Sequence, residues 1–240
     1  MLYDIITIFP HIFDSYINES LLKRAQKNQL IKIKIHNLRD YAIDKHKTVD
    51  DKPYGGGPGM IFKIEPIYKC LQKVKSQRLK VKSKNTSRRV PDKKTKDNRQ
   101  QTKVILLTPA GKQFDQKMAR QLSKMKRLIF ICGRYEGIDA RVEKLVDEKI
   151  SIGPYVLSGC ESAVLNIIEA TARLIPGVIG KKESLFEETF VQKNKQLFTQ
   201  EYPQYTRPED FLGQKVPKVL LSGNHEKIKA WRQKKIKRAI

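Results

Sequence analysis

The chain has 240 residues, with 49 Lys and Arg against 25 Asp and Glu, giving a net charge of +24. That length and a 39% apolar content support a real core, in one large domain or in one domain with a smaller partner, and exclude a disordered chain. The charge favours a polyanion as partner, chiefly nucleic acid, although a lysine-biased genome would leave the same mark. Cys70, Cys132 and Cys160 form no CxxC and cannot all pair, which points to reduced thiols in a cytoplasmic protein. The leading MLYDIITIFP holds Asp4 and no basic residue, so it reads as a first strand and not a signal peptide. No run approaches the ~18 apolar residues of a membrane span.

In chain order, residues 2–9 read as a buried strand, and Pro10 opens a helical pattern that runs to Asn28. IKIKIH, residues 31–36, alternates as a half-exposed strand does. Residues 39–60 are loop and 63–75 a helix. VILLTPAG, residues 104–111, is a strand breaking into a turn, followed by a helix over 114–125. RLIFICG, residues 127–133, is a second apolar strand ending on glycine. A helix over 139–146, a short strand over 148–152 and a helix over 161–174 complete the series. Strands alternating with helices predict a mostly parallel α/β sheet, whose ligands bind at the carboxyl ends of the strands. Those ends are TPAG, CGRYEG and SIGPYVLSGC, and each carries glycine.

Residues 72–103 stand apart, with nine Lys and four Arg against two Asp and almost no apolar periodicity. They read as a flexible basic insertion, either holding phosphates or simply solvated. After Pro176 the pattern weakens. Residues 177–206 read as a linker, and 207–240 as a small second unit with helices over 207–211 and 225–238. The last helix is strongly basic and carries Trp231, which suits either RNA stacking or a small core.

VDDKPYGGGPGM, residues 49–60, packs four glycines and two prolines behind two aspartates. A ligand lying against the main chain explains that density better than a surface turn. The loop lacks the GK[ST] ending of a P-loop, and no GxGxxG follows a strand. LSGCES lacks the GxSxG elbow, so backbone use is expected around Ser158 and Cys160, not nucleophilic catalysis. The four histidines show no metal spacing. On the helix over 161–174, Ser162, Asn166, Glu169 and Arg173 form one narrow polar stripe on an otherwise apolar cylinder, as in a core or a subunit interface. Arg173 is either a cation at a helix C-terminus or a guanidinium aimed at an oxygen in a cleft. Glu187 and Glu188 are either solvated acids or, close to Arg173, a base beside an electrophilic clamp.

The stretches RDYAIDKHKTVDDKPYGGGPGM, LLTPAGKQFDQ, ICGRYEGIDARV, SIGPYVLSG, RLIPGVIG, YPQYTRPEDF and VPKVLLSGNHEKI occur in this order. Together they resemble the bacterial tRNA (guanine-N1)-methyltransferases, over nearly the whole chain except residues 72–103. The resemblance implies a SPOUT-type α/β methyltransferase domain with a trefoil knot and a mostly parallel sheet over 1–176. A small helical tRNA-binding domain over 207–240 would follow, in a cytoplasmic homodimer. It implies S-adenosyl-L-methionine held by Leu107, Thr108, Pro109, Gly111, Gly133, Tyr135, Glu136, Gly137, Ile152, Gly153, Tyr155, Val156, Leu157 and Gly159. It also implies magnesium, for which the sequence shows no ligand set. The substrate would be guanosine 37 of tRNA, flipped into a pocket of His46, Asp50, Pro58, Gly59, Arg134 and Thr189. By position, Arg173 is the electrophile at O6 and Glu188 the general base, with the two converging from two protomers.

Some positions depart from the family. Glu188 stands where the family has an aspartate, Pro154 where it often has an aspartate, and Cys160 where it has a glycine. The chain ends at Ile240 where the family continues with more helix, which predicts a weaker grip on tRNA, offset by the basic insertion. The alternatives are a catalytically degraded RNA-binding dimer and a SPOUT methyltransferase acting on another RNA.

Overall fold

The computed structural model describes residues 1–77, 101–180, 188–194, 197–199 and 201–236. Most of the predicted basic insertion lies outside the described residues, as do Glu187 and the chain end from 237. The chain divides into two units, Met1–Ile179 and Gly180–Ile240.

In the first unit, strands β1 (Leu2–Thr7) and β2 (Lys32–Asn37) frame two short helices, α1 (Asp14–Ile17) and α2 (Ser20–Lys27). A two-residue ladder of β3 (Asp50–Asp51) and β4 (Ile61–Phe62) closes the glycine loop, and helix α3 (Ile64–Ser76) follows. Beyond the insertion come β5 (Thr102–Gln113), α4 (Gln116–Leu122), β6 (Arg127–Ile131), β7 (Glu148–Ser151) and α5 (Glu161–Ala172). The five long strands pair in the order β2-β1-β6-β5-β7, all parallel. Every crossover returns the chain to the same end, which gathers the carboxyl-end loops together.

The three central strands, β1, β6 and the first half of β5, are apolar on both faces because both faces are covered, whereas the edge strands β2 and β7 carry charges. Tyr3, Ile5, Ile105, Leu107, Leu128 and Phe130 pack toward α5, α4 and α2 in one core. The alternate residues Ile6, Val104, Leu106, Ile129 and Ile131 pack toward α3 in the other. Asp4 is the buried exception in this centre: its carboxylate accepts from His36 Nε2 at 2.7 Å and Arg127 Nε at 2.7 Å. A charge at that depth is tolerated only with such partners, and these two come from the strands on either side of β1.

The differences from the sequence reading have local causes. The helix expected over 10–28 is a 3-10 turn, Pro10–Phe13, followed by α1 and α2, because the chain is extended at Glu19 and Ser20 takes φ 44°. Both pieces still bury one apolar stripe, so the periodicity runs on across the break. The segment 139–146 is a 3-10 turn, Ala140–Leu145, capped by the Asp139 side chain accepting from Arg141 N. β5 does not end at TPAG. It bulges, and both Leu107 and Lys112 pair with Ile150.

The second unit contains two hairpins, β8 (Val191–Asn194) with β9 (Leu197–Thr199) and β10 (Asp210–Phe211) with β11 (Gln214–Lys215). Helices α6 (Lys218–Leu221) and α7 (His225–Lys235) follow. The helix expected over 207–211 is therefore wrong. Leu212 and Gly213 take φ 52° and 81°, a tight turn that sends the chain back as a strand. Asn224 caps α7, accepting from Lys227 N at 3.0 Å. Trp231 is half-buried against Tyr205, ring centroids 6.3 Å apart, while Lys227, Lys229, Lys234 and Lys235 are exposed.

Candidate active site

The bulge of β5 makes the first wall. Thr108, Pro109, Ala110 and Gly111 loop out between the two residues that share Ile150 as partner. Gly111 is required there: a Cβ would lie 2.5 Å from the Ile150 backbone nitrogen and carbonyl carbon. The second wall is the turn after β7. Ser151 Oγ donates to Gly153 O at 3.0 Å and accepts from Gly153 N at 3.3 Å, which curls the turn back on itself. The Tyr155 ring lies across Gly153, in space a Cβ would occupy.

Between these walls lies a cavity of about 40 Å³, bordered by Leu107, Thr108, Pro109, Ile152, Gly153, Tyr155 and Leu157, all expected to hold cofactor. Ile150, Ser151, Cys160 and Ala163 line it too, and sequence reasoning assigned none of these to the cofactor. Cys160 turns its thiol to the Leu107 carbonyl, 3.5 Å away. Burial pushes that thiol up, the Gly133 backbone hydrogen bond opposing and the Glu161 carboxylate adding to the rise, which disfavours the thiolate. Gly111 sits beneath the bulge, and Gly133, Tyr135, Glu136, Gly137, Val156 and Gly159 lie outside the lining.

The turn after β6 reaches from the lining residue Cys160, whose N donates to Gly133 O at 3.3 Å, to the glycine loop. Gly55, Gly56, Gly57 and Gly59 all take positive φ, which answers why the loop needs glycine. Its root is sewn to the turn. Glu136 N donates to Met60 O at 3.1 Å, Phe62 N to Gly137 O at 3.0 Å and Asp139 N to Phe62 O at 3.0 Å. Phe62 meets Tyr135 edge-on at 5.6 Å, and Gly59 lies on the Glu136 side chain. Asp50 pairs with Phe62 in the short ladder, Pro58 is exposed, and His46 stands exposed in a turn capped by Asp44, whose carboxylate accepts from Thr48 N and Oγ1. A larger cavity, about 680 Å³, opens on the flank of the same loop and includes none of the expected cofactor residues. Among its charges, Lys63 pairs with Asp51 at 3.5 Å and Arg141 with Asp139 at 2.6 Å.

Arg134 is half-buried and paired with Glu161. Arg173 caps the carboxyl end of α5, half-buried, at the foot of the polar stripe. Thr171, on the far side of α5, is fully buried and hydrogen-bonds the Tyr3 hydroxyl at 3.0 Å. Glu188 and Thr189 belong to the second unit, where Thr189 N donates to Glu201 Oε1 at 3.2 Å. Among the described residues no three His, Cys, Asp or Glu side chains gather as a metal site, so no ligand set for magnesium can be named.

A parallel α/β sheet whose glycine-bearing loops gather at the carboxyl ends of its strands is the architecture of an enzyme that binds a nucleotide-like cofactor there. Comparison with known proteins narrows that class. The family model described as tRNA (Guanine-1)-methyltransferase TrmD matches residues 1–240. The tRNA (guanine-N(1)-)-methyltransferase of Dictyoglomus turgidum is 48% identical over 231 residues, covering 96% of this chain and 83% of that protein. Its counterpart in Carboxydothermus hydrogenoformans is 49% identical over 232 residues, covering 96% and 81%. The crystal structure of a tRNA (m1G37) methyltransferase from Aquifex aeolicus matches with a TM-score of 0.72 at 36% identity, covering 96% of this chain and 87% of that one. The chain belongs to the tRNA (guanine-1)-methyltransferase family.

Proposed function

We propose that this protein transfers a methyl group from S-adenosylmethionine to N1 of guanosine 37 in tRNA. The observation that carries the reading is the docking of the glycine loop, through Gly59 and Met60, onto the turn that adjoins the carboxyl-end cavity. A purine against that loop would lie beside a group held in that cavity. S-adenosylmethionine, when bound, supplies the electrophilic methyl on its sulfonium. The bulge at Leu107–Pro109 and the turn at Ile152–Leu157 would hold its adenosyl part, since they face each other across a lining that is mostly apolar. The space, about 40 Å³, is open on one side and below the ~300 Å³ low end of ligand pockets, and the half-exposed Tyr155 ring over Gly153 is the side chain placed to yield.

N1 of guanine carries a proton at neutral pH, and that proton must leave as the methyl arrives. Glu188 takes it. Negative charge then grows on O6, and Arg173 stabilises it. Glu188 is one methylene longer than the family's aspartate, which changes its reach and not its proton chemistry. The domain carries the trefoil knot of the SPOUT fold, and two copies associate. Phe9, Ile12 and Tyr16, each 40–47% exposed, support such a face, together with the half-exposed polar stripe of α5. The second unit, with its exposed lysines on α7, grips the tRNA.

Glu188→Gln tests the assignment. Turnover falls by about 10²–10⁴-fold, the range of a single general base, while S-adenosylmethionine affinity measured by calorimetry stays near wild type. Turnover at the parental level would put the base elsewhere.

A further inference from the structure

Thr7, Arg134 and Glu161 come from three separate parts of the chain and meet at one carboxylate. Glu161 opens α5 and is 2% exposed. Its Oε1 accepts from Thr7 Oγ1 at 2.8 Å, and that hydroxyl in turn accepts from Phe9 N at 3.0 Å. Its two oxygens also take Arg134, through Nε at 3.1 and 3.3 Å and Nη2 at 3.0 Å. The Arg134 guanidinium carbon lies over the Phe9 ring, 4.6 Å from its centroid. Arg134 bridges Gly159 on the backbone, and a Cβ at Gly159 would collide with the guanidinium and lie 2.6 Å from Glu161 Oε2. The guanidinium is thus held by a bidentate pair, an aromatic face and a backbone bridge at once.

The next residue shows what this holding serves. Tyr135 takes φ 59°, a left-handed conformation that a tyrosine keeps only when its neighbours enforce it. The turn it sits in carries Glu136 and Gly137, whose backbones anchor Met60 and Phe62 of the glycine loop. Thr7 fixes Glu161, Glu161 fixes Arg134, and Arg134 fixes the strained turn. We infer, on the methyl-transfer reading, that Glu161 is a positioning residue. It acts through Arg134 to hold the 133–137 turn against the cofactor-side loop 155–160, so that cofactor and guanine loops keep one geometry. Most of the Arg134 fork is engaged by this brace, and its contribution to substrate is to aim the turn.

A role confined to stability predicts a lower unfolding midpoint and unchanged binding well below it. The positioning role predicts a binding defect in a folded protein. S-adenosylmethionine is titrated calorimetrically into full-length wild type, Glu161→Gln, Arg134→Lys, the double variant, and Tyr3→Phe. The last removes a buried hydroxyl bonded to Thr171 elsewhere in the same core. We expect Glu161→Gln and Arg134→Lys each to weaken affinity about tenfold, and the double variant to be no weaker than either, because both break one coupled contact. Tyr3→Phe lowers the unfolding midpoint and leaves affinity within about twofold, as a change outside the brace does. Should Glu161→Gln fail to fold, Arg134→Lys, whose charge is kept and whose fork is lost, decides alone. Wild-type affinity in Arg134→Lys or Glu161→Gln, or additive losses in the double variant, overturns the role. Wild type that takes up no S-adenosylmethionine overturns the methyl-transfer reading and the role with it.

Discussion

Gly59 joins two of the protein's loops through the absence of a side chain. Its φ is +76°, and a Cβ there would lie 2.5 Å from Glu136 Cγ. Gly55 has a similar φ, +84°, but open space around it. The two alanine variants therefore share the left-handed cost, about 1–2 kcal/mol, and differ in whether Glu136 must move. Denaturant unfolding is expected to show that loss in Gly55→Ala and a larger one in Gly59→Ala. Steady-state methylation is expected to fall further in Gly59→Ala, because only there is the turn at 134–137 displaced. Equal activity in the two variants would mean that the contact with Glu136 is incidental.

Among the elements, the bulge of β5 matters most to the site. The strand must leave its ladder for four residues and rejoin the same partner, and Gly111 makes the return possible because the Ile150 backbone occupies the place of its Cβ. No flexible side chain can yield there. Gly111→Ala is expected to cost about 2 kcal/mol or more, as overpacked sites do, and to abolish cofactor binding with it. An unfolding midpoint equal to wild type would show that the bulge tolerates a methyl group and is not a fixed wall. The sequence made TPAG visible as a glycine-bearing strand end, but not the return, because pairing after the bulge depends on β7, which is forty residues away in the chain. The same limit hid Ser151 and Ala163. Each is an ordinary small residue whose place in the lining is set by how the loops close. The parallel sheet itself was legible, since runs such as RLIFI are apolar at every position only when both faces are covered. The 3-10 turns and the 210–215 hairpin were not, because their caps and left-handed residues override propensity locally.

At the scale of the molecule, the two residues proposed as electrophile and base lie in different units, Arg173 in the first and Glu188 in the second. If, as the family resemblance implies, the two groups meet from two protomers, mixed subunits test it. Arg173→Ala and Glu188→Gln are each expected to be inactive alone. Randomly reassociated, half the dimers are mixed and each mixed dimer keeps one intact site, so about a quarter of wild-type activity returns. No recovery would place both residues in one protomer's site. The net charge of +24 draws any RNA toward the surface and cannot itself select a base. On the proposed function, selection falls to the glycine loop and to the proton chemistry at N1. The most direct test is methyl incorporation from labelled S-adenosylmethionine into an unmodified tRNA with G at position 37, beside the same tRNA with A there. The account predicts label on N1 of G37 and none in the A37 transcript. Equal label in both, or label at another position, would contradict it.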